Sequence, residues 1–322
     1  MTNPRTDWIW KNGKWLRWDA ANIHVGSHVV HYGSSVFEGI RCYATPRGPA
    51  VFRLRAHVRR LLDSARIYRM TPPFDEAQII DACCAVVARN RQEACYIRPV
   101  VLRGSGSFGI DPRNCAIDTF ILCFPWGAYL GDASLKQGVD ACVSSWQRAA
   151  PNTIPALAKA GGNYLSSQLI KMEAQSNGYA EGIALGPDGL VSEGSGQNVF
   201  LVRDGVLMTP AVDGTLLPGI TRDCVLTLAR DLGIPVREQA VPRELLYIAD
   251  EVFFAGTAVE ITPIRSIDRV PIGAGRPGEV TSRLQERLLG IARGLQADEH
   301  DWLTPVDLRV PSARGRRRTV AA

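Results

Sequence analysis

The chain has 322 residues, 46% apolar and 21% charged, with a formal net charge of +5. That length exceeds what one core usually holds, so two domains are expected, and ordinary globular usage argues against disorder. No apolar run approaches the roughly 18 residues that span a bilayer and residues 1–8 carry no apolar signal segment, so no membrane association and a cytoplasmic location are expected. Five arginines (Arg309, Arg314, Arg316, Arg317 and Arg318) follow residue 308 with no acid among them, leaving a near-neutral body without a nucleic-acid footprint. The eight cysteines are scattered without a Cys-x-x-Cys pair, so reduced thiols and no metal site are expected.

In chain order, Ile9, Trp10, Trp15, Leu16 and Trp18 alternate around Asn12-Gly13, the pattern of a hairpin. Residues 54–70 place Leu54, Val58, Leu61, Leu62 and Ala65 at three- and four-residue steps, one helix face, and residues 75–90 repeat the pattern. Tyr96 to Leu102 and Asp118 to Phe124 are apolar, β-branched runs suited to buried strands, with a glycine-rich loop at 103–109. Pro125-Trp-Gly-Ala-Tyr-Leu-Gly131 combines breakers with aromatics and reads as an interdomain connector. A helix from Tyr164 to Asn177 ends at Gly178, turns fall at 187–189 and 203–205, and a helix from Thr221 to Leu232 closes at Gly233. The division is a small α+β domain over 1–124, a connector over 125–133, a larger β-rich domain over 134–308 and a disordered arginine-rich tail over 309–322.

Only five lysines stand against thirty-two arginines, and arginine holds its proton near neutral pH, so chemistry needing a free amine falls to Lys11, Lys14, Lys136, Lys159 or Lys171. Lys159, between Ala158, Ala160, Gly161 and Gly162, has the small, apolar setting in which an ammonium is disfavoured and an amine can attack a carbonyl. A Schiff base to pyridoxal phosphate leads; a surface loop lysine is the alternative. That cofactor also needs a carboxylate for its ring nitrogen, donors for its phosphate and a group on its ring oxygen. Glu193 follows a strand and precedes Gly194 and Gly196, whose missing side chains permit close approach of a ligand; a solvated strand-end glutamate is the alternative. Leu217-Pro-Gly-Ile-Thr221, with Gly219 and Ile220 before a helix, offers backbone N–H groups and a helix dipole to a phosphate, although Thr221 also suits an N-cap. Gly256-Thr257-Ala258 follows a strand and offers a second anion nest, and Arg60 adds a guanidinium unless it is merely solvated.

Together these residues resemble the branched-chain aminotransferases of the class IV, fold-type IV pyridoxal phosphate family, with a D-amino acid aminotransferase-like fold of two α+β domains. The resemblance runs from about residue 8 to 305 and includes His31-Tyr-Gly-Ser-Ser-Val-Phe-Glu-Gly-Ile-Arg-Cys-Tyr43, Tyr96-Ile-Arg-Pro99, Phe124-Pro-Trp-Gly-Ala-Tyr-Leu-Gly131, Leu217-Pro-Gly-Ile-Thr-Arg-Asp223 and Gly256-Thr-Ala-Val-Glu-Ile-Thr-Pro263. It implies that Lys159 binds pyridoxal 5'-phosphate covalently and shuttles the proton, that Glu193 pairs with the pyridinium and that Tyr164 donates to the ring oxygen. Arg60, Ile220, Thr221 and Thr257 would hold the phosphate. Tyr96 and the Thr257–Ala258 turn would meet the substrate carboxylate, while Phe37, Tyr32, Trp126 and Tyr129, beside Gly39, wall an apolar pocket. Arg98 would receive the distal carboxylate of glutamate.

The implied activity moves the amino group of leucine, isoleucine or valine to a 2-oxo acid by ping-pong exchange, in a homodimer or a trimer of dimers whose sites are bordered by a partner loop. Gln197 departs from the family pattern, standing where an acid is frequent, and the loop Gly104 to Asp111 looks abbreviated. D-amino acid transamination, aminodeoxychorismate cleavage and a noncatalytic cofactor-binding protein are the alternatives.

Overall fold

A computed structural model of the chain describes residues 5–127 and 129–309; beyond Arg309, the anticipated tail lies outside the described residues. The hairpin forms as β1 (Trp8–Lys11) and β2 (Lys14–Arg17), with Asn12 at φ 47° and Gly13 at φ 82° supplying the left-handed pair a tight turn needs. A short α1 (His28–Tyr32) leads into β3 (Ser35–Phe37), β4 (Ile40–Thr45) and β5 (Gly48–Phe52). The two helical patterns become α2 (Leu54–Ile67) and α3 (Glu76–Arg89). The second opens on a capping box, in which the Asp75 carboxylate accepts from the Gln78 amide at 2.8 Å and the Gln78 side chain accepts from the Asp75 amide at 2.9 Å.

β6 (Cys95–Arg103) and β7 (Ile117–Phe124) complete an antiparallel sheet ordered β5-β4-β6-β7-β1-β2, with β3 also on β6. Alternation along β6 turns Ile97 and Val101 into the core beneath α2 and α3, leaving Tyr96, Arg98 and Val100 on the opposite face. The same strand therefore builds the core with one side and one wall of a cleft with the other.

After Phe124, α4 (Asp132–Gln137) and β8 (Val139–Val143) enter the second unit. It continues through α5 (Tyr164–Ser176), β9 (Glu181–Leu185), β10 (Val191–Gly194), β11 (Asn198–Arg203), β12 (Val206–Pro210), α6 (Ile220–Asp231) and β13 (Val236–Gln239). It then adds α7 (Arg243–Tyr247), β14 (Glu251–Gly256), β15 (Glu260–Ile267), β16 (Val270–Pro271) and α8 (Glu279–Ala292). The sheet order is β10-β9-β8-β15-β14-β11-β12-β13, with β16 on β15. Pairing is antiparallel except β8 with β9, β8 with β15 and β12 with β13. α6 and α8 cover one face around Phe200, Phe253, Leu228 and Leu288.

Two features depart from the linear reading. Gly219, not Thr221, is the N-cap of α6, because the chain turns helical two residues earlier than a cap at Thr221 implies. Among the described residues a last strand, β17 (Leu303–Pro305), returns to pair with β5 at the edge of the first sheet. Nothing in a three-residue strand announces a partner about 250 residues away.

The Phe200 and Phe253 rings are fully buried and stack with centroids 5.1 Å apart and planes 2° from parallel. Phe253→Ala is expected to cost about 3–5 kcal/mol in chemical denaturation; a loss below about 1 kcal/mol would show that the surrounding core collapses into the void.

Candidate active site

The Lys159 segment runs between the two sheets and is held at three points. The Lys159 amide donates to Ser64 Oγ on α2 at 3.0 Å, its carbonyl accepts from the Phe37 amide at 3.0 Å, and Ala160 bridges to Val36. With the backbone fixed, the half-buried side chain projects into a cleft of about 680 Å³ including its mouth, a size suited to a small molecule. There Lys159 Nζ donates to the Tyr164 hydroxyl at 2.5 Å, and it sits 5.1 Å from the Phe37 ring centre. Lys171 is also shielded, but its ammonium is taken by Glu181 at 3.0 Å and the Ala180 carbonyl at 2.6 Å. Lys159 alone among the lysines lines this cleft.

Glu193 lies within β10, not after it, and is 4% exposed, which removes the solvated reading. Its Oε1 meets Arg148 Nη2 at 2.5 Å, and its Oε2 accepts from Asn198 Nδ2 at 3.4 Å and the Leu217 amide at 3.3 Å. Burial pushes the carboxyl up from its ordinary value, while the Arg148 guanidinium, the Leu217 amide and the Lys159 charge oppose that rise. Gly194 serves packing, since a Cβ there would stand 2.9 Å from both Gln197 Nε2 and the Phe254 ring; Gly196 is the glycine that opens on the cleft. Gln197 lines the cleft and accepts from the Gly196 amide through Oε1 at 3.1 Å.

On the sheet side, Tyr96 reaches the cleft because Gly39 makes room; a Cβ on that glycine would fall 1.8 Å from the Tyr96 hydroxyl. Thr257 and Ala258 line the cleft opposite, their carbonyls fixed by Arg41, whose Nε donates to Thr257 O at 2.8 Å and Nη2 to Ala258 O at 2.9 Å. Phe37, Arg98 and Trp126 stand just behind these residues. The Phe37 ring packs on Tyr164 at 4.9 Å, Trp126 packs on Tyr96 at 4.5 Å, and the Arg98 guanidinium lies 4.9 Å from Phe37 and 5.3 Å from Tyr96. Tyr129 joins through Trp126 at 6.0 Å. Tyr32 is not brought to the cleft of this chain: it is 45% exposed, and its hydroxyl donates to the Phe108 carbonyl at 2.9 Å in the 104–111 loop.

The remaining end of the cleft is built for an anion. Leu217, Gly219, Ile220, Thr221, Gly256 and Thr257 line it, and the N-terminus of twelve-residue α6 carries no side-chain cap, leaving its first N–H groups for a ligand. Arg60 is not solvated. Its Nε and Nη2 donate to Glu38 at 2.6 and 2.9 Å and its Nη1 to the Pro218 carbonyl at 3.0 Å, leaving two of its five N–H groups. Glu38 is fully buried and also accepts from His57 Nδ1 at 2.7 Å. Burial alone would raise its carboxyl; Arg60 and His57 outweigh burial and hold it well below the ordinary carboxylate range. Burial keeps His57 down despite Glu38, so the neutral ring donates from Nδ1.

Uncapped amides with a guanidinium, an amine beside a phenol, and a buried carboxylate therefore fit the phosphate, carbonyl and ring nitrogen of pyridoxal phosphate in turn. Arg148, Asn198, Glu38, His57 and Arg41 were not singled out by sequence. Glu38 and Arg41 fall inside a quoted motif and Asn198 follows Gln197, but Arg148 has no local signal. Glu38→Gln is expected to cost about 3–5 kcal/mol near neutral pH by leaving Arg60 unpaired. As pH falls below about 4.3 the unfolded glutamate takes its proton before the folded one, so wild-type stability drops and the gap to the variant narrows; denaturation curves at successive pH values check this, and a constant gap contradicts it.

The chain and its fold match known proteins closely. Residues 35–267 match the model of the amino-transferase class IV family. Branched-chain-amino-acid aminotransferases of Salmonella typhimurium and Escherichia coli are 53% identical over 308 residues, covering 95% of this chain and 100% of each relative. The crystal structure of an Escherichia coli branched-chain amino acid aminotransferase superposes with a TM-score of 0.93 at 53% identity, covering 94% of this chain and all of that one. The branched-chain amino acid aminotransferase of Thermobaculum terrenum, in its PLP-bound holo form, superposes with a TM-score of 0.88 at 35% identity, covering 95% of this chain and all of that one. The chain is a member of the class IV aminotransferase family.

Proposed function

We propose that this protein is a pyridoxal 5'-phosphate-dependent branched-chain amino acid transaminase, moving the amino group of L-leucine, L-isoleucine or L-valine reversibly to 2-oxoglutarate. The observation that carries the reading is the convergence of the Lys159 amine, the Tyr164 hydroxyl and the Glu193 carboxylate in one cleft beside an uncapped helix. Bound there, the cofactor supplies a carbonyl that takes up the amino group and a conjugated ring that accepts the electron pair left at Cα. Lys159 Nζ takes and returns the proton at Cα, Tyr164 orients that amine and holds the ring oxygen, and Glu193 holds the ring-nitrogen proton. Arg60, Ile220, Thr221 and Thr257 hold the phosphate.

Substrate recognition follows from the walls. Tyr96 with the Thr257–Ala258 turn binds the α-carboxylate, and Phe37, Trp126 and Tyr129 enclose an apolar side chain. The Arg98 Nε is buried without a partner among the described residues, held in place by two rings, and answers the distal carboxylate of glutamate or 2-oxoglutarate. An apolar enclosure with one unsatisfied guanidinium edge accepts both substrate classes of a ping-pong cycle.

Homodimerisation, with further association into a trimer of dimers, belongs to the same reading. Phe108 and Ile110 are 82% and 83% exposed beside Tyr32, and Leu165, Leu169 and Met172 leave an apolar stripe on α5, surface that a second copy would cover. No helix of the described residues is long and apolar enough to cross a membrane; a cytoplasmic location is part of the same proposal.

Lys159→Ala is expected to lower turnover by roughly 10⁴-fold, read as failure of L-leucine or L-glutamate to convert the cofactor absorbance to the pyridoxamine form; a full response sinks the reading. Arg98→Met should lower kcat/KM for glutamate by about 10- to 100-fold and for leucine by less than about 3-fold, the signature of a lost charge-assisted bond to one substrate. Equal losses for both would remove Arg98 from dual recognition, and conversion by D-alanine alone would point to D-amino acid transamination.

A further inference from the structure

We infer that Arg148 is a positioning residue for the ring-nitrogen proton: by pairing with Glu193 it keeps that carboxylate ionised and the proton on the cofactor ring. The inference rests on the cofactor reading above. A fully ionised carboxylate offers about four acceptor positions. Arg148 takes one on Oε1, and Asn198 and the Leu217 amide take two on Oε2, leaving one, on Oε1, for the single N–H of a pyridinium.

One proton has to be divided between Glu193 and the ring nitrogen. Burial favours the neutral pair, a carboxylic acid with an unprotonated ring, because Glu193 is 4% exposed and its own environment raises its proton affinity. A guanidinium in contact with the carboxylate favours the ionic pair, since its attraction to the adjacent negative charge exceeds its repulsion of the more distant ring charge. The other positive group facing Glu193 is Lys159, and that amine must gain and lose protons during exchange. Arginine does not titrate, so Arg148 provides a constant charge through the cycle.

The side chain is built for this position. Its backbone amide donates to Leu185 O at 2.9 Å, and its Nη1 donates to Ser167 Oγ at 3.0 Å. Ser167 lies one helical turn beyond Tyr164 on α5, so one helix places both the ring-oxygen partner and the guanidinium behind Glu193. At 13% side-chain exposure, Arg148 is little screened by water.

The test uses holoprotein carrying pyridoxal phosphate labelled with nitrogen-15 in the ring, whose chemical shift separates the protonated from the unprotonated nitrogen. Wild type, Arg148→Gln and Arg148→Lys are compared from about pH 6 to 9. Wild type should hold the protonated limit throughout, R148Q should move to the unprotonated limit, and R148K, which retains the charge, should stay near wild type. R148Q at the protonated limit, or R148K displaced as far as R148Q, overturns the proposal. Should R148Q not fold, the wild-type titration still decides, because loss of the ring proton within that range overturns it equally. Absence of bound label in the wild type sinks the cofactor reading instead.

Discussion

A glutamate with no exposed surface costs several kcal/mol to keep ionised unless charge and hydrogen bonds surround it. Glu38 meets that condition with two guanidinium contacts, a histidine and the Gly39 amide, and the cleft is organised around the result. The residue before it, Phe37, bonds to the Lys159 carbonyl; the residue after it, Gly39, leaves space for Tyr96. Arg60, held by Glu38, ties α2 to the Pro218 carbonyl at the mouth of α6, so one ion pair joins the first sheet to the anion-binding end of the second unit. Stability and site geometry are the same interaction seen from two sides.

The two buried carboxylates divide the work by their surroundings. Glu38 is saturated by fixed partners and is held far below the ordinary carboxylate range, so it behaves as a constant negative charge under Arg60. Glu193 has one acceptor position left and a proton affinity raised by burial, the properties of a group that still has a partner to meet. Each is backed by one arginine, in a chain where arginine outnumbers lysine about six to one. Non-titrating cations at both ends leave Lys159 as the one basic side chain in the cleft that can release a proton.

Much of this was legible in the linear sequence because it is local. Asn12-Gly13 forces a hairpin, the three- and four-residue steps of 54–70 make a helix face, and the lysine set among alanines and glycines is the one that lines the cleft. What escaped was long-range or disguised. Arg148 sits 45 positions before Glu193 among many arginines, and its role appears only when β8 and β10 flank β9. Gly194 looked like a concession to a ligand and is a concession to Phe254. The cap of α6 fell on Gly219, because a glycine and a threonine two apart are both acceptable starts and only the packed backbone chooses. Tyr32 shows a further limit: a motif names a residue without saying where the fold puts its side chain, here on the carbonyl of Phe108 in the 104–111 loop.

Arg41 grips the carbonyls of Thr257 and Ala258 from outside the cleft, and in a planar trans peptide a carbonyl turned one way turns the following N–H the other. The Ala258 amide is thereby turned to the side opposite Arg41, which itself never enters the cleft. A donor made from main chain survives any non-proline side-chain replacement at its own position, whereas Phe37, Trp126 and Tyr129 contact their neighbours through replaceable rings. On the proposed reading, in which this turn holds the α-carboxylate and the rings enclose the side chain, grip rests on main chain and discrimination on replaceable side chains.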